Sequence, residues 1–154
     1  MLRLRANEVE TFDDELARLA ERMTALMHDA HGAGLAATQV GVLRRLFVFT
    51  DGDDDRVVVN PRIVERSSTV STEEEGCLSL GPVRVPVERA CTVTLEGQDL
   101  TGAPYRAELG ELQARVVQHE IDHLDGVLMI QRTDDVSRRA ALGRLRPQPV
   151  VGVR

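Results

Sequence analysis

Between Thr11 and Ala30 the apolar residues Leu16, Leu19, Met23, Leu26, Met27 and Ala30 recur mostly at steps of three and four, with Glu15, Arg18, Glu21 and Arg22 between them. That period puts them on one face and predicts an amphipathic helix, capped by Thr11 or Asp13. His31-Gly32-Ala33-Gly34 ends it and opens a Gly- and Ala-containing loop that runs to Gly41. Beyond the loop, Leu46 to Phe49, Val57 to Val59, Ile63 to Val70, Val83 to Val87, Cys91 to Leu95 and Tyr105 to Leu109 read as short strands. Asp51-Gly52 and Asp99-Leu100-Thr101-Gly102 supply turns between them. Helical spacing returns at Leu112, Arg115, Val116 and His119, predicting a second helix from about Glu111 through His123. Val127 to Ile130 is strand-like, Ser137 to Leu145 is a short Arg-rich helical piece, and the tail at Val150 to Val153 adds an edge strand or frays. A helix, a set of antiparallel strands and a further helix predict an α+β fold, with antiparallel sheets packed around the second helix.

Composition narrows the possibilities. A chain of 154 residues fits one domain, 1–154, and buries roughly two thirds of its unfolded surface. Aromatic residues make up only 3%, so the core must come from Leu, Val, Ile and Ala. All 19 basic residues are Arg, which excludes lysine Schiff-base chemistry and a P-loop lysine. The net charge of −6 argues against DNA or other nucleic acid as a general partner, because counterion release needs a concentrated basic face. The acid runs Asp51 to Asp55 and Glu73 to Glu75 read as solvated loops, and Arg138, Arg139, Arg144 and Arg146 as a solvated face. No apolar run reaches membrane-spanning length and the N-terminus carries no secretory signal, so a cytoplasmic protein with reduced Cys77 and Cys91 is expected.

The candidate chemistry centres on His119-Glu120-Ile121-Asp122-His123. On a helix, imidazoles four residues apart share one face and can share a metal ion, with Glu120 beside them to handle a proton. A catalytic site of this kind needs a third protein ligand and an open position. In metzincin proteases a third His follows at a fixed distance, but Met129 stands there, and Asp134 and Asp135 come only after a strand-like segment. The third ligand therefore lies upstream, where Cys77, in the loop Glu75-Gly76-Cys77-Leu78-Ser79, is the strongest candidate. A Cys77–Cys91 disulfide would compete with that role. Gln39, in the loop from Gly32 to Gly41, offers an amide donor that could hold an oxyanion. Single His residues are more often packed than ligating, and His28 and His31 are read that way; Cys91 is read as a small buried hydrophobe.

These three segments, Gly32 to Gln39, Glu75 to Ser79 and Gln118 to Gly126, resemble in order the motifs of the peptide deformylase family. The resemblance covers about Leu2 to Arg132 and implies a hydrolase that deformylates N-formylmethionyl nascent peptides. It implies that Cys77, His119 and His123 hold one divalent metal, usually Fe(II), with Zn, Ni or Co able to substitute. Glu120 would carry the proton from the attacking water to the departing amine, and Gln39 with the backbone N–H of Leu78 would stabilise the oxyanion. Gly34 and Arg84 would line the peptide track. A monomer making transient ribosome contact, with no membrane partner, is the expected setting. In the family, residues containing an early strand precede the part resembling Leu2 to Val9, and some members end in a longer C-terminal helix. Another metal-dependent amidase and a non-catalytic peptide-binding relative are the rival readings; the intact set of Gln39, Cys77, His119, Glu120 and His123 disfavours the latter.

Overall fold

The computed structural model describes residues 2–145; the expectations for Arg146 and for Val150 to Val153 fall outside it. Helix α1 (Asp14–Asp29) is capped by Asp13, whose carboxylate accepts the Leu16 N–H at 3.0 Å, and it buries Leu16, Ala20, Met23 and Met27. Leu26, placed on the apolar face by its spacing, is instead 45% exposed. The chain then forms β1 (Gly34–Ala36), β2 (Leu46–Asp51) and β3 (Asp54–Arg66). Next come β4 (Val70–Gly76), β5 (Arg84–Ala90), β6 (Thr92–Gln98) and β7 (Pro104–Gly110), and finally α2 (Glu111–Leu124) and α3 (Asp135–Leu145). Strands β1-β2-β3-β6-β7 make one antiparallel sheet in that order, and β4-β5 make a second, two-stranded one. Helix α2 packs Ala114, Val117, Ile121 and Leu124 against the larger sheet, whose inner face offers Phe47, Phe49, Val58 and Leu95. The α+β class and the central metal-motif helix predicted above are thus observed. No helix among the described residues is long and apolar enough to cross a membrane.

Several local expectations change. Val57 to Val59 and Ile63 belong to the one strand β3, which is bulged where Asn60 adopts φ 50°. The Asn60 side chain accepts from the Val9 N–H and donates to the Val9 carbonyl and Gln98 Oε1, so the N-terminal segment is stitched to the bulge. Ser67 to Thr69 then turn the chain, and Val70 begins β4 rather than extending β3. The acid run Glu73 to Glu75 lies within β4, paired with Val87 to Val85 of β5, and is not a loop. Asp51 and Asp54 likewise close the β2–β3 hairpin. Gly34 to Ala36 form a short strand beside Phe47 to Phe49, followed by a 3-10 turn at Ala37–Val40. Val127 to Ile130 is not a strand: Met129–Gln131 make a 3-10 turn, and Leu128, Met129 and Ile130 pack with Val85, Val87 and Ala141. A short apolar run carries no period that separates a strand from a buried turn. The buried apolar residues are mostly Leu, Val, Ile and Ala, as the composition predicts, with Phe47, Phe49, Met23, Met27 and Met129 among the largest side chains packed with them.

Gly126 ends the metal-motif helix with φ +76°, and Val127 N–H returns to the Asp122 carbonyl at 2.8 Å. A Cβ on Gly126 would sit 2.5 Å from the Arg3 carbonyl oxygen, because the N-terminal segment crosses this turn and Ala6 N–H bonds the Leu124 carbonyl at 2.8 Å. Gly126→Ala therefore meets both a disfavoured backbone conformation and a backbone clash. It is expected to lower unfolding stability by about 1–3 kcal/mol, read by urea denaturation at fixed metal concentration.

Candidate active site

Strand β4 leads into Cys77, and α2 presents His119 and His123 one turn apart on the face turned toward it. Cys77 Sγ, His119 and His123 offer one ligand atom each, all within 4.8 Å of one another. His123 Nε2 lies 3.1 Å from His119 Nε2 and 3.3 Å from Cys77 Sγ. For metal–nitrogen and metal–sulfur bonds of about 2.0 and 2.3 Å, a tetrahedral site has edges of about 3.3–3.6 Å, so this spacing is close to that of a ligand set. Both cysteines are free, and Cys91 is half-buried in a separate position, so the competing disulfide is not formed.

The electrostatics of the triad fit a cation. Burial works against a charged His119, yet its hydrogen bonds to Cys77 and Glu75 prevail and hold it at about 10. A buried cluster that favours a proton this strongly is short of positive charge, and a divalent ion between the three donors would meet that deficit. His123 is driven the other way, to about 3, by burial and by the charge of His119, which leaves its ring neutral with a lone pair to give.

Glu120 is buried, and its Oε2 has no partner among the described residues. Burial foremost raises its carboxyl to about 7; the nearby Glu75 charge adds to this, while His119 and Arg89 oppose it. A carboxyl balanced near neutrality can both accept and return a proton. Gly34 makes room for it: a Cβ there would lie 2.8 Å from Glu120 Oε1 and 2.8 Å from Val116 Cγ1. The Gln39 amide is oriented by the Ala36 N–H, which Oε1 accepts at 2.9 Å, and this turns Nε2 toward Ser79 Oγ at 3.1 Å and Cys77 Sγ at 3.7 Å. Gly34, Gln39, Cys77, Leu78, Arg84, His119 and Glu120 all line one cleft of about 480 Å³. Leu78 and Arg84 sit at its exposed edge, Arg84 donating to the Glu74 carbonyl at 3.3 Å. All eight candidate residues are therefore gathered around one place, His123 lying just behind the cleft as the deepest member of the triad. His31 is exposed on the cleft rim, and exposed His28 pairs with Asp55 at 2.8 Å; neither is packed in the core.

The sequence did not disclose what holds this arrangement. Glu75 accepts from Arg89 Nε and Nη2 at 2.9 and 3.0 Å, from Arg115 Nη1 at 2.7 Å, and bonds His119 Nδ1 at 2.9 Å. Burial would raise its carboxyl, but the bonds from His119 and Arg89 outweigh it and hold it down at about 2. Glu75 thus stays ionised and fixes the proton on His119 Nδ1, directing Nε2 at the triad. Arg89 also reaches Asp122 Oδ2 at 2.6 Å, and Asp122 takes Arg132 at 2.9 and 3.1 Å. Gln118 clasps Ala90 by both its N–H and its carbonyl. Burial within β4 marks Glu75 out from Glu73 and Glu74, a distinction that only the strand pairing reveals.

Comparison with known proteins places the chain in a family. The family model for polypeptide deformylase matches residues 1–139. The chain is 47% identical to peptide deformylase 1 of Corynebacterium efficiens, over 95% of this chain and 89% of that protein. It is similar to the crystal structure of peptide deformylase from Thermus thermophilus, at 43% identity and TM-score 0.87, covering 93% of this chain and 86% of that one. It is likewise similar to peptide deformylase 1B of Arabidopsis thaliana, solved with an inhibitor, at 34% identity and TM-score 0.90, over 94% and 82% of the two chains. On the match across these 139 residues, the chain belongs to the polypeptide deformylase family.

Proposed function

We propose that this chain acts as one catalytic domain, residues 1–154, that hydrolyses the N-formyl group from N-formylmethionyl peptides of nascent proteins and releases formate. The observation that carries the reading is the convergence of Cys77, His119 and His123 beside a buried Glu120 in a cleft open to solvent. These three residues would hold the ion. Its contribution when bound is Lewis acidity, which brings the pKa of water from about 15.7 down toward about 7.

The remaining steps fall to the chain's own groups. Glu120, deprotonated at the start, takes a proton from the attacking water as oxygen adds to the formyl carbon. Gln39 Nε2–H and the backbone N–H of Leu78 donate to the oxyanion that develops on the formyl oxygen. Glu120 then returns the proton to the amine nitrogen as the C–N bond breaks, leaving formate and a free N-terminus. Leu78, Leu112 and Val116 give the cleft an apolar wall suited to a methionine side chain, and Gly34 with Arg84 line the peptide's path. A relative that only bound peptides would have no use for a carboxyl buried without a partner at this point.

We assign Fe(II) as the native ion, with Zn, Ni or Co as substitutes, in a cytoplasmic monomer that makes transient ribosome contact through its Arg-rich C-terminal segment. Arg138, read from the sequence as solvated, instead turns its guanidinium onto the Ile130 and Thr133 carbonyls at 2.8 and 3.1 Å. A thiolate on Fe(II) is vulnerable to oxygen.

Deformylation of a formyl-Met-Ala-Ser peptide by protein purified without oxygen tests the reading. Turnover with stoichiometric metal is expected, and Glu120→Ala should keep the metal while nearly abolishing turnover; metal without turnover in the parent protein would reject the reading. Gln39→Ala removes one oxyanion donor and should reduce kcat by about 100- to 1000-fold; a loss below tenfold would remove Gln39 from that role. Activity of the Fe(II) form should decay in air, whereas the redox-inert Zn(II) form should not; equal decay of both would show that oxygen acts elsewhere.

A further inference from the structure

Arg115 is one turn before His119 on α2, and its guanidinium is buried, with a side chain only 8% exposed. Nη1 donates to Glu75 Oε2 at 2.7 Å and to the Val87 carbonyl at 2.8 Å. Nη2 donates to the Ser71 carbonyl at 2.9 Å and to Ser71 Oγ at 3.2 Å. Nε faces Glu73 at 3.5 Å. Ser71, Glu73 and Glu75 are alternate residues of β4 and therefore share one face of that strand, so a single side chain spans its length. Val87 lies on β5, so the same group also bonds the partner strand.

This matters because the triad is divided between two elements. Cys77 follows directly from β4, whereas His119 and His123 belong to α2. Their separation depends on how the two-stranded sheet seats on the helix. Arg89 locks Glu75 within the sheet, since both residues belong to it, and reaches the helix only at Asp122. Arg115 is the group that comes from the helix and grips β4 along its length.

We infer that Arg115 is a positioning residue: it sets the distance between the strand that carries Cys77 and the helix that carries His119 and His123. It touches neither the metal donors nor the reacting atoms. Charge alone cannot fill the role, because an ammonium group lacks the fork needed to bond Glu75, Val87 and Ser71 together. The inference rests on the metal-centre reading above.

The test uses the full chain loaded with Co(II), in three variants. Arg115→Met keeps most of the stem, Arg115→Lys keeps the charge, and Glu73→Gln removes only the exposed partner. Arg115→Met and Arg115→Lys should both release Co(II) to a chelator about 10- to 100-fold faster than the parent. Both should also change the ligand-field absorption of the bound ion and lower kcat for formyl-Met-Ala-Ser more than they alter KM. Glu73→Gln should match the parent in all three. Release rate and spectrum unchanged in both Arg115 variants would overturn the inference, as would recovery of parent behaviour by Arg115→Lys alone. Loss of native circular dichroism in both variants at excess Co(II) would also overturn it, since Arg115 would then serve folding. A parent chain that takes up no Co(II) would instead reject the metal-centre reading itself.

Discussion

The ionised carboxylate of Glu75 is the group on which the site depends. Four donors from three side chains meet it, at 2.7 to 3.0 Å, and one of those side chains is His119. Burying an isolated carboxylate or guanidinium costs several kcal/mol per ion, so none of Glu75, Arg89 and Arg115 could be buried alone. Together they compensate one another, and the compensation fixes geometry as well as charge. Arg89 forks onto both oxygens, Arg115 enters from the helix, and the oxygen that faces His119 selects which ring nitrogen carries the proton. The direction of the His119 lone pair follows from a carboxylate in another element.

This explains an otherwise unusual helix. From Gln118 to Leu124 every residue of α2 is buried, although Gln118, His119, Glu120, Asp122 and His123 are polar. A helix polar over much of its circumference belongs at a surface unless its polar groups are paired. Gln118 is satisfied by the Ala90 backbone, Asp122 by Arg89 and Arg132, and His119 by Glu75. Glu120 Oε2 and His123 Nδ1 have no partner among the described residues, and both side chains belong to the candidate chemistry. The pairing of their neighbours is what lets Glu120 remain buried with a free oxygen, and Gly34 supplies the space beside it.

The parts of the site that are local in sequence were legible there. His119 and His123 are spaced for one face of a helix, Cys77 stands in a loop between strands, and the Gly32 to Gln39 loop announces close approach. The helices α1 and α2 and most strand positions follow from their periods. What escaped is long-range. Glu75 meets Arg89 and Arg115 from 14 and 40 positions away, and Arg89 meets Asp122 from 33, so nothing in the local pattern separates Glu75 from the exposed Glu73 and Glu74. The same cause hid β4, whose acidic face reads as loop until it is paired with β5. At Val127 to Ile130 the difficulty was different, since a run of apolar residues has no period to read.

X-ray absorption at the zinc edge of the Zn(II)-loaded chain tests the central claim most directly, because it counts the donors that the Glu75 framework brings together. One sulfur at about 2.3 Å and two imidazole nitrogens at about 2.0–2.1 Å are predicted, with a lighter donor in the remaining position. A shell without sulfur, or with a single imidazole, would contradict the account.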